Sequence, residues 1–326
     1  MRGLRITSAA LVAAGAAAGS AGADGLPVGG IDVGPSGVTL PAADVRYVAL
    51  RAGPKTLVAG VEQPGGRVLG TRLLDGRFTI PAVALDGSAG GLSADGGTLV
   101  LIRPRAGFPR KETALAVVGT ARLRVRETIT LAGDFSFDAV SPDGSLLYLV
   151  EYVDPRDPTR YVVRGYDLER GRLLPEPVVD PKVFGDAMRG YPLTRIVSLD
   201  GRWAYTLYDG GGGVPFVHAL DTAEGTAACI AVEGLAGHAE LMNARLAIAG
   251  GGEELRVVAA AETVAIIDTT SLRLREPSPP APAPVPAGQP DGSAPWILVA
   301  GLGALLLGGA GALAAVLRRR RRLVAT

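Results

Sequence analysis

The chain has one cysteine, two histidines, three lysines and only 5% aromatic residues, and each scarcity closes off a class of function. Cys229 alone forms no intrachain disulfide, and its setting in TAACIAVE reads as a small buried hydrophobe. His218 lies inside the strand-like FVHALD and His238 in the connecting EGLAGHAE. With a single cysteine they lack the clustered spacing of a zinc site. The sequence has no Gly-x-Ser-x-Gly elbow, no phosphate-binding Gly-Lys-Ser/Thr loop and no His-Glu-x-x-His. The Gly-rich DGGGGVP from Asp209 has no lysine and no helix after it, so it reads as a loop. Asp154 and Asp157 in YVDPRDPTR lack the alternating oxygens of a dedicated calcium loop and read as a proline-stiffened turn. These residues predict no catalytic group, no metal site and no cofactor.

Lysine occurs only at positions 55, 111 and 182, while arginine is abundant. With the richness in alanine, this is the coding bias of a high-GC genome. Setting aside Arg2, Arg5 and Arg318 to Arg322 leaves 26 basic against 32 acidic residues, a net charge of −6 for the body. An acidic body argues against a nucleic-acid partner. Against the few aromatics stand 46 glycines and 48% apolar residues, a mixture that suits short strands and tight turns.

Both ends read as membrane segments. Residues 1–23 have a basic start, an apolar stretch from Ile6 to Ala18 and a small-x-small pattern at Ala21 to Ala23, a secretory signal peptide. Residues 296–317 form 22 positions without a charge, enough to cross a ~30 Å hydrocarbon core as one helix. The arginines of the basic tail, 318–326, place the C-terminus in the cytoplasm. No LPxTG-like pentapeptide precedes the span, so a retained single-pass anchor is expected. Residues 277–295 hold eight prolines and predict an extended stalk. Residues 24–276 then form a domain outside the cell membrane.

That domain repeats itself. SADGGTLVLI, SPDGSLLYLV and SLDGRWAYTL place Asp-Gly at 95–96, 143–144 and 200–201. Each is followed by a loop, a second strand (TALAVV, YVVRGYDL, FVHALD), a short turn and another strand. Weaker copies begin at Tyr47 and Arg245, where VAIIDTTSLRL closes the last unit. About five four-stranded units result, and such meanders hide their faces by stacking around an axis. The fold class expected is all-β, a β-propeller of about five four-stranded blades with one C-terminal transmembrane helix. Asp95, Asp143 and Asp200 read as turn residues between first and second strands, and Asp167, Asp221 and Asp268 as turn residues after third strands.

These motifs resemble the YVTN/TolB-like β-propeller superfamily over about 230 residues, here as a secreted, membrane-anchored protein of actinobacterial type. The resemblance implies the fold and says little about function. That superfamily includes enzymes with acidic and histidine residues round a central channel, so a hydrolase or lactonase is the alternative reading.

Topology separates two ends of such a domain. The turns SPDG, LERG and TAEG share one end and are short. The segments 103–111, 154–160, 180–192, 209–215 and 233–240 share the other and are long. Long irregular loops on a rigid scaffold are where function concentrates. Phe108, Arg110, Arg156, Phe184, Arg189 and Tyr191 are the candidate partner-binding residues there, with Arg105 and Met188 beside them. The function expected is non-enzymatic binding of a protein or cell-envelope polymer outside the membrane.

Overall fold

The computed structural model describes residues 37–40, 44–182 and 187–275, all within the first of two compact units, Met1–Ser278. The expected signal peptide, stalk, membrane helix and basic tail lie outside the described residues, as does Phe184. No helix among the described residues is long and apolar enough to cross a membrane.

Five antiparallel sheets follow one another along the chain. Sheet 1 holds β1 (Val38–Thr39), β2 (Val45–Ala52), β3 (Lys55–Glu62) and β4 (Val68–Asp75). Sheet 2 holds β5 (Thr98–Ile102), β6 (Glu112–Gly119) and β7 (Arg124–Ala132). Sheet 3 holds β8 (Phe135–Val140), β9 (Leu146–Tyr152), β10 (Arg160–Asp167) and β11 (Arg172–Val178), with the two-residue β12 (Met188–Arg189) also paired to β10. Sheet 4 holds β13 (Pro192–Val197), β14 (Trp203–Tyr208), β15 (Phe216–Asp221) and β16 (Thr226–Ala231). Sheet 5 holds β17 (Arg245–Ala249), β18 (Glu254–Ala259), β19 (Glu262–Asp268) and β20 (Arg273–Arg275). Each is a meander, as the repeats predict.

Cores form between successive sheets. Val58 and Leu74 of sheet 1 pack with Leu99, Leu101 and Ala116 of sheet 2. Val100 and Val117 of sheet 2 pack with Phe135 and Leu149 of sheet 3. Tyr148 of sheet 3 packs with Ala204 and Leu220 of sheet 4, and Leu207 and Val217 of sheet 4 with Leu255 and Ile267 of sheet 5. Inner strands are buried on both faces: every residue of β5, TLVLI, and of β8, FSFDAV, is buried. Burying one Leu or Val side chain contributes about 1.5–3 kcal/mol. The outermost strands β7 and β20 are largely exposed and carry the charges.

The Asp-Gly turns repeat atom by atom. Ser141 donates its hydroxyl to Asp143 at 2.6 Å and accepts the Leu146 N–H at 2.9 Å, while the same carboxylate accepts the Ser145 N–H at 3.0 Å. Ser93 with Asp95, and Ser198 with Asp200, make the same bonds, accepting Thr98 N–H and Trp203 N–H at 2.9 Å. Gly144 has φ +69°, and a Cβ there would lie 2.2 Å from Thr98 Oγ1 on sheet 2. The turns also join one another, since Asp95 donates its N–H to the Pro142 carbonyl at 3.0 Å. Asp167, Asp221 and Asp268 end β10, β15 and β19 and accept backbone N–H groups from the turns that follow.

One segment departs from the expected units. The unit that begins at Tyr47 would end, by the spacing of its turns, in RFTIPAV as its fourth strand, but this segment crosses to sheet 2, where Thr79 bridges Ile102. The next bridge is Leu92 to Leu99. One strand advances thirteen residues while β5 advances three, so ten residues, 81–90, leave the ladder. They form a hairpin, with Ala82 bridged to Ala89 and a turn at Asp86 and Gly87. Leu85 and Asp86 donate their N–H groups to the Pro192 and Leu193 carbonyls of sheet 4. Val83 packs with Phe137 of sheet 3, and Leu85 against the core of sheets 4 and 5. The hairpin thus contacts sheets 3, 4 and 5 at once.

Candidate functional site

At the long-loop end, between sheets 3 and 4, the strand ends converge on a small pocket. Its lining includes Asp138, Tyr152, Pro158, Tyr161, Gly190 and Tyr208. Tyr152 ends β9, Tyr161 lies at the start of β10 and Tyr208 ends β14, so each tyrosine flanks a long loop. Their rings form a run: Phe108 to Tyr152 at 5.5 Å, Tyr152 to Tyr161 at 6.2 Å, Tyr161 to Tyr208 at 5.7 Å and Tyr208 to Phe216 at 5.2 Å between centroids. The first two contacts are edge-to-face and the last is stacked. Burial raises the Tyr161 and Tyr208 hydroxyls well above the usual phenol range, so both stay protonated.

Two buried ion pairs hold this end together. Asp138 and Arg195, both almost fully buried, are bonded through a carboxylate oxygen and Nη2. Arg195 Nη1 also donates to the Asp138 carbonyl, and its Nε to Thr206 Oγ1 at 2.8 Å. A register shift between Phe137 and Ala139 marks a bulge at Asp138, which re-aims that side chain. Asp138 Oδ2, in the pocket lining, has no hydrogen-bond partner among the described residues. In the second pair, Arg105 Nη2 lies 2.7 Å from Asp134 and donates to Ser136 at 3.0 Å. The Arg105 guanidinium sits 5.0 Å from the Tyr152 ring centroid.

Beside Arg195, a cross-strand row runs through Thr206, His218 and Cys229. Burial lowers His218 to about 4, a larger effect than the opposing field of Asp138. Burial likewise raises the Cys229 thiol to about 12, with Asp180 adding to the effect. Both are neutral near pH 7, as packed residues. Among the described residues no three His, Cys, Asp or Glu side chains gather closely enough to hold a metal ion. Asp154 accepts the Arg156 N–H at 2.9 Å, and Asp157 accepts the Thr159 N–H and hydroxyl. Both carboxylates serve the turn.

The residues singled out from the sequence fall into three groups. Arg189 and Arg156 are exposed on the rim, and Tyr191 is half-buried, its N–H on Asp209 at 2.8 Å. Met188 packs against Val150, Tyr161 and Tyr208, and Phe108 lies against Tyr152. Arg110 is turned inward: its Nε lies 3.1 Å from Asp134, and its Nη groups donate to the Arg103 and Phe135 carbonyls. It braces the 103–111 loop. Sequence reasoning missed Asp134, Asp138, Arg195 and the tyrosines. The visible signal was the placement of Tyr152, Tyr161 and Tyr208 beside the long loops.

No family model matches the sequence, and a search of curated proteins gives no match. Solved structures do resemble the fold. Hydrazine synthase of Kuenenia stuttgartiensis is 15% identical over 79% of this chain and 68% of its own, with a TM-score of 0.44. BamB from Moraxella catarrhalis is 17% identical over 74% of this chain and 63% of its own, with a TM-score of 0.42. TolB from Acinetobacter baumannii is 14% identical over 71% of this chain, with a TM-score of 0.40, and the match spans about half, 51%, of that chain.

Proposed function

We propose that the protein is a membrane-tethered extracytoplasmic propeller that binds a protein partner through its long-loop end, without catalysis. The observation that carries this reading is the pocket at the long-loop end, lined by Tyr152, Tyr161 and Tyr208, with exposed Arg156 and Arg189 in the loop segments that supply its lining residues Pro158 and Gly190. Aromatic rings and arginine are the side chains that anchor protein interfaces, because they combine large contact area with directed hydrogen bonds. The uncharged stretch at 296–317 and the arginines after it supply the tether, and the proline-rich 277–295 the spacer.

Two measurements test the reading. Protease added to intact cells is expected to release the domain by cutting within 277–295; full protection would overturn the topology. A photo-crosslinking residue at Arg189 or Tyr191 of the full-length chain is expected to trap a protein, and one at Glu169 or Glu224 in the short turns is not. Adducts from the short turns alone would move the binding face to the other end.

A further inference from the structure

Like charges directly opposite each other in a sheet repel, so a pair that the backbone holds in place gains when an opposite charge joins it. The long-loop end contains such a pair. Strand β12 lies antiparallel to the start of β10, with Met188 opposite Tyr161 and Arg189 opposite Arg160. Backbone contacts hold this register. Gly190 donates its N–H to the Thr159 carbonyl at 3.1 Å, and a Cβ on Gly190 would lie 2.3 Å from Asp209 Oδ1. Met188 packs against Val150, Tyr161 and Tyr208, so the alternate residues, Arg160 and Arg189, share the other face. The register of β9 and β10, Tyr152 opposite Tyr161, continues to Val153, which donates its N–H to the Arg160 carbonyl at 3.3 Å. Val153, Arg160 and Arg189 therefore form one cross-strand row. Val153 is 47% exposed, the Arg160 side chain 42%, and Arg189 is exposed. Arg156, also exposed, lies in the turn that leads into Arg160.

The carboxylates of these loops are engaged elsewhere. Asp154 Oδ1 accepts the Arg156 N–H at 2.9 Å, and its Oδ2 is 3.9 Å from Arg160 Nη1, too far for a hydrogen bond. Asp157 lies in the field of Arg189 and Arg160, yet its Oδ1 accepts both the N–H and the hydroxyl of Thr159. Asp209 accepts the Tyr191 and Gly211 N–H groups. Arg164, further along β10, has Glu151 at 2.9 Å. Among the described residues no hydrogen bond or ion pair engages the guanidinium of Arg156 or Arg189.

We infer that this row receives an acidic segment of the protein partner, whose carboxylates bind Arg160 and Arg189 while an apolar side chain covers Val153. The inference rests on the reading that a protein binds the long-loop end. A guanidinium takes a carboxylate through two parallel hydrogen bonds, and a carboxylate between two facing arginines removes their repulsion. The body as a whole is acidic, so the segment is repelled by the rest of the domain and attracted here, which sets where it docks. Exposed Val153 within the row matches a peptide, which carries apolar groups beside its charges, and not a free anion.

The test adds a fluorescent octaglutamate peptide to the full-length chain in detergent and reads binding by anisotropy. Saturable binding that weakens as salt rises is expected. Arg160→Glu with Arg189→Glu is expected to weaken it about tenfold and to create binding of octalysine in its place. Arg122→Glu with Arg124→Glu, the same change of charge where β7 begins, is expected to leave it within about twofold. Melting is expected to hold in both double variants; if the first melts early, Arg189→Gln carries the test, with an expected loss of about threefold. No saturable binding, equal loss in the two double variants, or no loss in either would each overturn the proposal. Displacement by inorganic phosphate, beyond that by chloride at equal ionic strength, would also overturn it and mean a site for small anions. The underlying reading has its own readout in the photo-crosslinking residue at Tyr191. If that residue traps a protein while octaglutamate does not bind, only the acidic chemistry falls; if it traps nothing, the binding face falls as well.

Discussion

The two ends of the domain are built on opposite plans. At the short-turn end, three Ser-x-Asp-Gly turns make the same hydrogen bonds in the same order and touch one another through Asp95 and Pro142. At the long-loop end no two loops are alike, and they are held by Arg105 with Asp134, Arg195 with Asp138 and a run of rings. A repeated turn fixes where strands reverse and has no information left for a partner. Unrepeated loops anchored by buried charges present a surface specific to this chain. On the proposed function, this contrast separates stability from recognition within one scaffold.

The strongest way to break the contrast is to strike the long-loop end at its foundation. Asp138→Leu leaves the Arg195 guanidinium buried without its partner, and denaturant unfolding is expected to show a loss of about 3–5 kcal/mol. Replacing both residues by leucine is expected to recover much of that loss, because no lone charge then stays buried.

The next effect is acid sensitivity from His218. Burial keeps the folded imidazole neutral down to about 4, against an ordinary value of 6.5. Below pH 6.5 the unfolded chain takes up a proton that the folded chain refuses. Stability is therefore complete above pH 6.5, falls as pH drops toward 4, and levels off below. The loss approaches about 3 kcal/mol, and His218→Gln is expected to remove this part of the slope in melts from pH 7 to 4.

At the short-turn end, Gly144→Val is expected to cost about 1–3 kcal/mol, from both the positive φ and the 2.2 Å approach to Thr98. Asp143→Asn lies at the small end, within a few tenths of a kcal/mol by thermal melt, because the amide oxygen also accepts from Ser141 and Ser145. A large effect of Asp143→Asn on binding with the fold intact would break the contrast, since it would place function in a turn.

The sheets were legible because the turn repeats as letters: Ser, Asp and Gly recur at fixed offsets, and the strands behind them are apolar runs. The hairpin at 81–90 was not legible, because RFTIPAV has the apolar content of any strand here and nothing local says which sheet it joins. The site was half legible. Loop length pointed to the end where the pocket lies, and Phe108 packs against Tyr152 of its lining. Arg110 and Arg189 look alike in the sequence, yet Asp134, 24 residues after Arg110, draws the first inward while the second is exposed. Asp138 gains its place from a bulge, a register event that no spacing of residues announces.

The central claim, that recognition lives at one end and turn geometry at the other, is tested most directly by partner capture with Arg189→Ala and Tyr191→Ala, set against Glu169→Ala and Glu224→Ala. Affinity is expected to fall by more than about 1 kcal/mol for each rim variant, with melting unchanged, and to hold for both short-turn variants. Loss of capture in the short-turn variants, with the rim variants binding normally, would contradict the account.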